Sequence, residues 1–84
     1  MTRDEIEAEI INILENEFEI ESPGLDDHLR DVHGFDSIDA IELLGIIEEM
    51  LDTELTQTEK KGAMEIRTIN QIIDFIENAA KARA

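Results

Sequence analysis

No cysteine, tryptophan or tyrosine occurs in the 84 residues, and there is a single proline. Without cysteine the chain has no disulfide framework, no thiolate nucleophile and no cysteine-ligated zinc, so any sulfur chemistry must be brought in from outside. Basic residues are scarce too, 7 against 22 acidic ones, for a formal net charge of −15. That imbalance disfavours nucleic acid and anionic membranes as partners, because either would add like charge to a surface that already repels itself. Cationic partners are the natural counterpart. No run approaches the ~18 apolar residues of a membrane span, and Met1-Thr2-Arg3-Asp4-Glu5 lacks the basic flank and apolar stretch of a secretory signal. The expectation is a soluble, cytoplasmic chain, one domain over residues 1–84. A domain of this size buries about 60 to 65% of its unfolded surface, which argues against a deep self-contained enzyme cleft.

High net charge with few apolar residues would mean disorder, but 42% of this chain is hydrophobic and the spacing is regular. Thr2 and Glu5 form a capping-box pattern, with Met1 and Ile6 at the positions of a hydrophobic staple. Ile6, Ile10, Ile13, Leu14 and Phe18 then recur at helical spacing, predicting a first helix over residues 3 to 17. From Phe18 to Asp36 the period is lost and Pro23-Gly24 marks a turn. This reads as a long ordered loop pinned by Leu25, Leu29 and Val32, and loops of that length in compact domains are often functional. A second helix is capped at Asp36 or Ser37 and runs to Leu51, with Leu43, Ile46, Ile47, Met50 and Leu51 inward and Ile38 and Ile41 off that stripe. A short helical turn is expected near Thr58 to Met64. Thr68, boxed with Gln71, opens a last helix whose inward positions are Ile69, Ile72, Ile73, Ile76 and Ala80. The pattern is an all-α bundle of three main helices plus one short one.

Two bland possibilities are set aside on local chemistry. His28 and His33 are loop histidines without a third fixed ligand, so no metal site is assigned. A calcium loop from Asp31 to Glu42 would need acidic or amide ligands and a glycine where His33, Phe35 and Asp36 stand. Glu7, Glu9, Glu15 and Glu17 are read as the solvated face of the first helix.

The distinguishing feature is Gly34-Phe35-Asp36-Ser37-Ile38-Asp39-Ala40-Ile41-Glu42-Leu43-Leu44, a loop-to-helix junction carrying an exposed serine. This string resembles the prosthetic-group attachment motif of acyl carrier proteins, and the likeness extends through the first amphipathic helix, the long loop, Glu48-Glu49 and Ile66-Arg67-Thr68-Ile69. The resemblance implies a four-helix acyl-carrier-like bundle, not itself an enzyme, with 4′-phosphopantetheine from coenzyme A attached at Ser37. It implies that Asp36 assists by helping to position the magnesium ion of a separate phosphopantetheinyl transferase. The reactive thiol then sits at the tip of a flexible arm, which fits a chain without cysteine, and acyl groups ride on it as thioesters. It also implies that Ile46, Ile47, Ile69 and Ile73 can part to shelter an acyl chain.

Charge gives the docking expectation. Asp39, Glu42, Glu48 and Glu49 lie on or near the exposed side of the second helix and would steer basic acyl-transferring, synthase or ligase enzymes to Ser37, with Ile38 and Ile41 adding small apolar contacts. The carrier is expected to be a monomer. Departures from the family pattern are Val32-His33 ahead of Gly34, Gly45 where many fatty-acid carriers place a bulky apolar residue, and a longer segment containing Lys60-Lys61. The expected role is delivery of acyl groups in fatty acid, lipid or polyketide biosynthesis, and these departures count against the housekeeping fatty-acid role and toward a specialised carrier. The rivals are an aminoacyl or D-alanyl carrier using the same arm, and an unmodified acidic module that binds a basic protein and does not require Ser37.

Overall fold

The computed structural model describes residues 2–83, so the expected staple partner Met1 lies outside the described residues. Five helices follow one another: α1 (Arg3–Glu17), α2 (Leu29–His33), α3 (Ser37–Leu51), α4 (Gln57–Ala63) and α5 (Ile69–Ala82). Among the described residues there is no strand. The all-helical expectation holds, with one helix more than anticipated, and no helix is long and apolar enough to cross a membrane.

Local chemistry accounts for the starts. Thr2 Oγ1 accepts from the Glu5 amide at 3.2 Å while Glu5 Oε1 accepts from the Thr2 amide at 2.8 Å. Thr68 and Gln71 make the same reciprocal pair at 3.2 and 3.1 Å. Helix α4 uses a third box, Thr56 with Glu59, at 3.1 and 2.8 Å. It therefore begins one residue before the expected turn, at a Thr-x-x-Glu signal present in the sequence. Helix α2 had no such signal. The His28 ring accepts from the Asp31 amide at 3.3 Å, and Gly34, at φ +68°, closes the helix with its N–H on Arg30 O. That left-handed conformation suits glycine and strains most other residues.

Helix α5 is the spine. Ile69, Ile72, Ile73 and Ile76 are all 0% exposed, and α1 lays Ile6, Ile10 and Leu14 against the same core. Two inward assignments need correction. Ala79, not Ala80, completes the buried face of α5, because the buried stripe continues from Ile76 by three residues rather than four. Val32 pins nothing: it is 60% exposed, and of the apolar residues of the short helix α2 it is Leu29 that is buried. The long connection is held instead by backbone bonds to the start of α5, Leu29 N to Arg67 O at 2.9 Å and Asn70 N to Leu25 O at 3.1 Å. Phe18 and Phe35 meet edge to face at 5.4 Å and close its two ends. No polar or charged residue is buried among the described residues.

The C-terminal turn is tied back to α4. Arg83 forks onto Glu59 with bonds of 2.7 and 2.6 Å and also donates to Glu54 O at 3.0 Å. Arg83, followed by the Thr56 amide, pulls the Glu59 carboxyl from 4.5 to about 2. A carboxyl with a depressed folded value stabilises the fold above its unfolded value, and that contribution disappears as pH falls through the folded one. Arg83→Gln should therefore lower the Tm at neutral pH, and the gap from wild type should close between pH 4.5 and about 2. Thermal melts across that range check this; a gap that persists at the acid end contradicts it.

Candidate functional site

The site is built where the long connection ends and α3 begins. Asp36 caps the helix from an extended conformation, its Oδ1 accepting from the amides of Ile38 at 3.1 Å and Asp39 at 3.0 Å. Asp39 Oδ2 returns the favour to the Asp36 amide at 3.1 Å. This reciprocal pair is an Asp-x-x-Asp version of a capping box, and it fixes the junction on which Ser37 is the first helical residue. Ser37 is exposed, and the hydrogen bonds of the junction are made by its neighbours rather than by its hydroxyl.

A free serine hydroxyl is a weak nucleophile unless a base accepts its proton. Neither histidine is hydrogen-bonded to it. The His28 ring caps α2, and His33 Nε2 lies 3.1 Å from Asp27 Oδ2, which also accepts from the Gly24 amide at 2.8 Å. Those two bonds, the Gly24 amide foremost, hold the Asp27 carboxyl below its usual range. The histidines thus serve the loop, and among the described residues no group of three His, Cys, Asp or Glu side chains is placed to hold a metal.

Ser37 stands at the side of a cleft of about 100 Å³, whose lining includes Arg30 from α2, Phe35, Ala63 and Met64 at the end of α4, and Arg67 before α5. Sequence reasoning singled out neither arginine. They come together only because the α2 segment is bonded to the residue ahead of α5, a contact without a local signature. Next to this cleft lies a smaller apolar pocket of about 20 Å³ lined by Phe35, Leu43, Leu44, Ile47, Ala63 and Ile72 among others. Of the residues expected to shelter a chain, Ile47 lines this pocket, while Ile46 is half-exposed and Ile69 and Ile73 are packed elsewhere in the core.

The expected docking residues divide. Ile38 and Ile41 are 75% and 61% exposed, and with Glu42, Gly45 and Glu49 they form one exposed stripe at helical spacing. Nothing lies within 4 Å of where a Gly45 Cβ would be, so the middle of that stripe is open. Asp39 is half-buried within the capping pair. Glu48 is half-buried as well, and its Oε2 accepts from the Leu55 amide at 2.8 Å, which braces the connection between α3 and α4.

With this geometry in place, comparison with known families gives one finding: a family model described as phosphopantetheine attachment site matches residues 8–76. No solved structure matches the chain.

The cap is directly testable. Asp36→Ala removes both acceptor bonds at the head of α3 and should destabilise the fold by about 0.5 to 2 kcal/mol, with Asp36→Asn retaining most of the stability. Denaturant titration followed by circular dichroism measures the difference; an unaltered midpoint for the alanine variant would remove the cap from the account.

Proposed function

The chain belongs to the phosphopantetheine attachment-site family, and on that premise we propose that Ser37 is the residue that bears the arm. Membership makes the protein a carrier of covalently attached 4′-phosphopantetheine. The observation that supports Ser37 is its exposed, unbonded hydroxyl at the first position of a helix whose preceding residue, Asp36, has its carboxylate fixed beside it. Attachment forms a bond from Ser37 Oγ to the phosphorus next to the pantetheine of coenzyme A and breaks the pyrophosphate, with 3′,5′-ADP leaving. The serine proton goes to a base of the transferase, because neither histidine here bonds that hydroxyl. Asp36 acts by contributing carboxylate charge to the transferase's magnesium ion.

The carrier presents acyl groups as thioesters on the arm to enzymes with basic surfaces. Support comes from the exposed stripe of α3, where Glu42 and Glu49 supply charge for steering and Ile38 and Ile41 supply apolar contact. Of the four acidic residues expected there, these two are exposed, whereas Asp39 and Glu48 are half-buried and hydrogen-bonded within the fold. The open Gly45 position supports a specialised carrier, since a partner reading this face meets no side chain at its centre. A pocket of about 20 Å³ has room for about one water molecule, so sheltering an acyl chain requires α3 and α4 to separate.

Incubation with coenzyme A and a broad-specificity phosphopantetheinyl transferase should add the mass of one phosphopantetheinyl group to the wild type and nothing to Ser37→Ala. A gain that survives in the variant would move the attachment to another residue. For docking, the Glu42→Lys/Glu49→Lys double variant should be modified severalfold more slowly at low salt, with the difference shrinking as salt screens the surface and helical content unchanged. Equal rates at low salt would count against steering by α3.

A further inference from the structure

A phosphodiester on Ser37 would enter a negative neighbourhood. Of the helix amides near it, those of Ile38 and Asp39 are already engaged by Asp36 Oδ1 at 3.1 and 3.0 Å, which leaves the head of α3 fewer donors for an incoming anion. Asp36 and Asp39 flank the position, and the chain as a whole carries −15. Charge compensation has to come from another element.

The cleft provides it. Arg30 and Arg67 both line the space that Ser37 borders. The four arginines of the chain divide in two. Arg3 pairs with Asp74 and Glu77, and Arg83 pairs with Glu59. Among the described residues neither Arg30 nor Arg67 has a carboxylate within ion-pair distance, in a chain with 22 acidic residues. Arg67 is also held in place: its Nη1 donates to Met64 O and Ile66 O, each at 3.1 Å, while Nε and Nη2 make no bond within the described residues. A planar fork with two nitrogens unused is suited to phosphate oxygens.

We infer that Arg30 and Arg67 form a binding site for the phosphodiester of the Ser37-linked arm, so that the arm leaves the serine along the cleft between α2 and the end of α4 instead of directly into solvent. The inference rests on Ser37 being the attachment residue. The phosphodiester is favoured over a carboxylate on the cargo because its phosphorus is bonded to Ser37 Oγ itself, whereas the cargo sits beyond the full length of the arm. A cleft of about 100 Å³ accommodates the first part of the arm and not its far end. Tethering makes the contact intramolecular, so even exposed charge-assisted bonds populate it appreciably. Phe35, Ala63 and Met64 supply an apolar wall for the geminal methyl groups that follow the phosphate.

The test uses the full chain loaded from coenzyme A, with loading verified by intact mass, in the wild type, Arg30→Gln, Arg67→Gln and the double variant. Phosphorus NMR should place the wild-type phosphodiester resonance away from that of the double variant, with the two converging at high salt. Proton contacts between the arm's geminal methyls and Ala63 or Met64 should weaken by roughly two- to fivefold for each arginine removed. Arg30→Glu, which breaks no hydrogen bond made by that side chain, should weaken them further and covers the case in which Arg67 variants fold poorly. A loaded double variant with the same resonance and contacts as wild type overturns the inference. A chain that gains no mass overturns the Ser37 reading instead, a separate result. Loading with acetyl and with succinyl arms distinguishes the source of the anion: the same perturbation in both supports the phosphodiester, and a perturbation confined to the succinyl form overturns it in favour of a cargo carboxylate.

Discussion

Four isoleucines on one face of α5 are shielded completely from water, and the rest of the molecule is arranged around that shielding. Helix α1 covers the face with Ile6, Ile10 and Leu14, while α3 approaches through Leu43, Leu44 and Ile47. The connection after α1 is bonded to the start of the same helix through Arg67 O and Asn70 N, which places α2 and Phe35. The position of Ser37 is therefore inherited from the burial of a helix more than thirty residues away in the chain. Hydrophobic burial is non-directional, so it does not aim a side chain; the aiming is done by the short-range bonds of Asp36 and Asp39.

Charge is organised on a second level. All the acidic residues among those described stay at least partly exposed, so the self-repulsion of a −15 chain is carried by the surface and not by the core. The few cations are spent selectively. Arg3 links α1 to α5, Arg83 links the end of α5 to α4, and Arg30 and Arg67 are left at the cleft beside the serine. The two paired arginines join elements, whereas α3 exposes Glu42 and Glu49 without an ion-pair partner among the described residues. The same imbalance that would trouble a compact domain leaves α3 with an exposed acidic face.

What could be read from the sequence was what is encoded locally. The boxes of Thr2 with Glu5 and of Thr68 with Gln71, and the Asp36 cap, each depend on residues two or three apart, and the main helices followed from them. The Thr56 and Glu59 box was equally local but was passed over amid polar residues. Features that depend on distant partners were not legible. Helix α2 exists because a histidine ring caps it and Arg67 O holds its first residue, and neither is a recognised sequence signal. The bond from the Leu55 amide to Glu48 Oε2, across the next connection, also has no signature in the pattern of the helix itself. Likewise, Arg30 and Arg67 are unremarkable in the linear chain and meaningful only as co-lining residues of one cleft. In the attachment motif, by contrast, position and chemistry coincide within eleven consecutive residues, so that junction is legible in the linear chain.

Among the described residues the core contains no buried polar residue, and no buried side-chain nitrogen or oxygen lacks a partner. Such an interior behaves as a small droplet of branched alkane wrapped in α-helix. An aliphatic guest entering it displaces methyl-to-methyl dispersion contacts with equivalent ones and leaves no hydrogen bond to be mended. The same lack of directional bonds gives such an interior little means of telling one hydrocarbon from another.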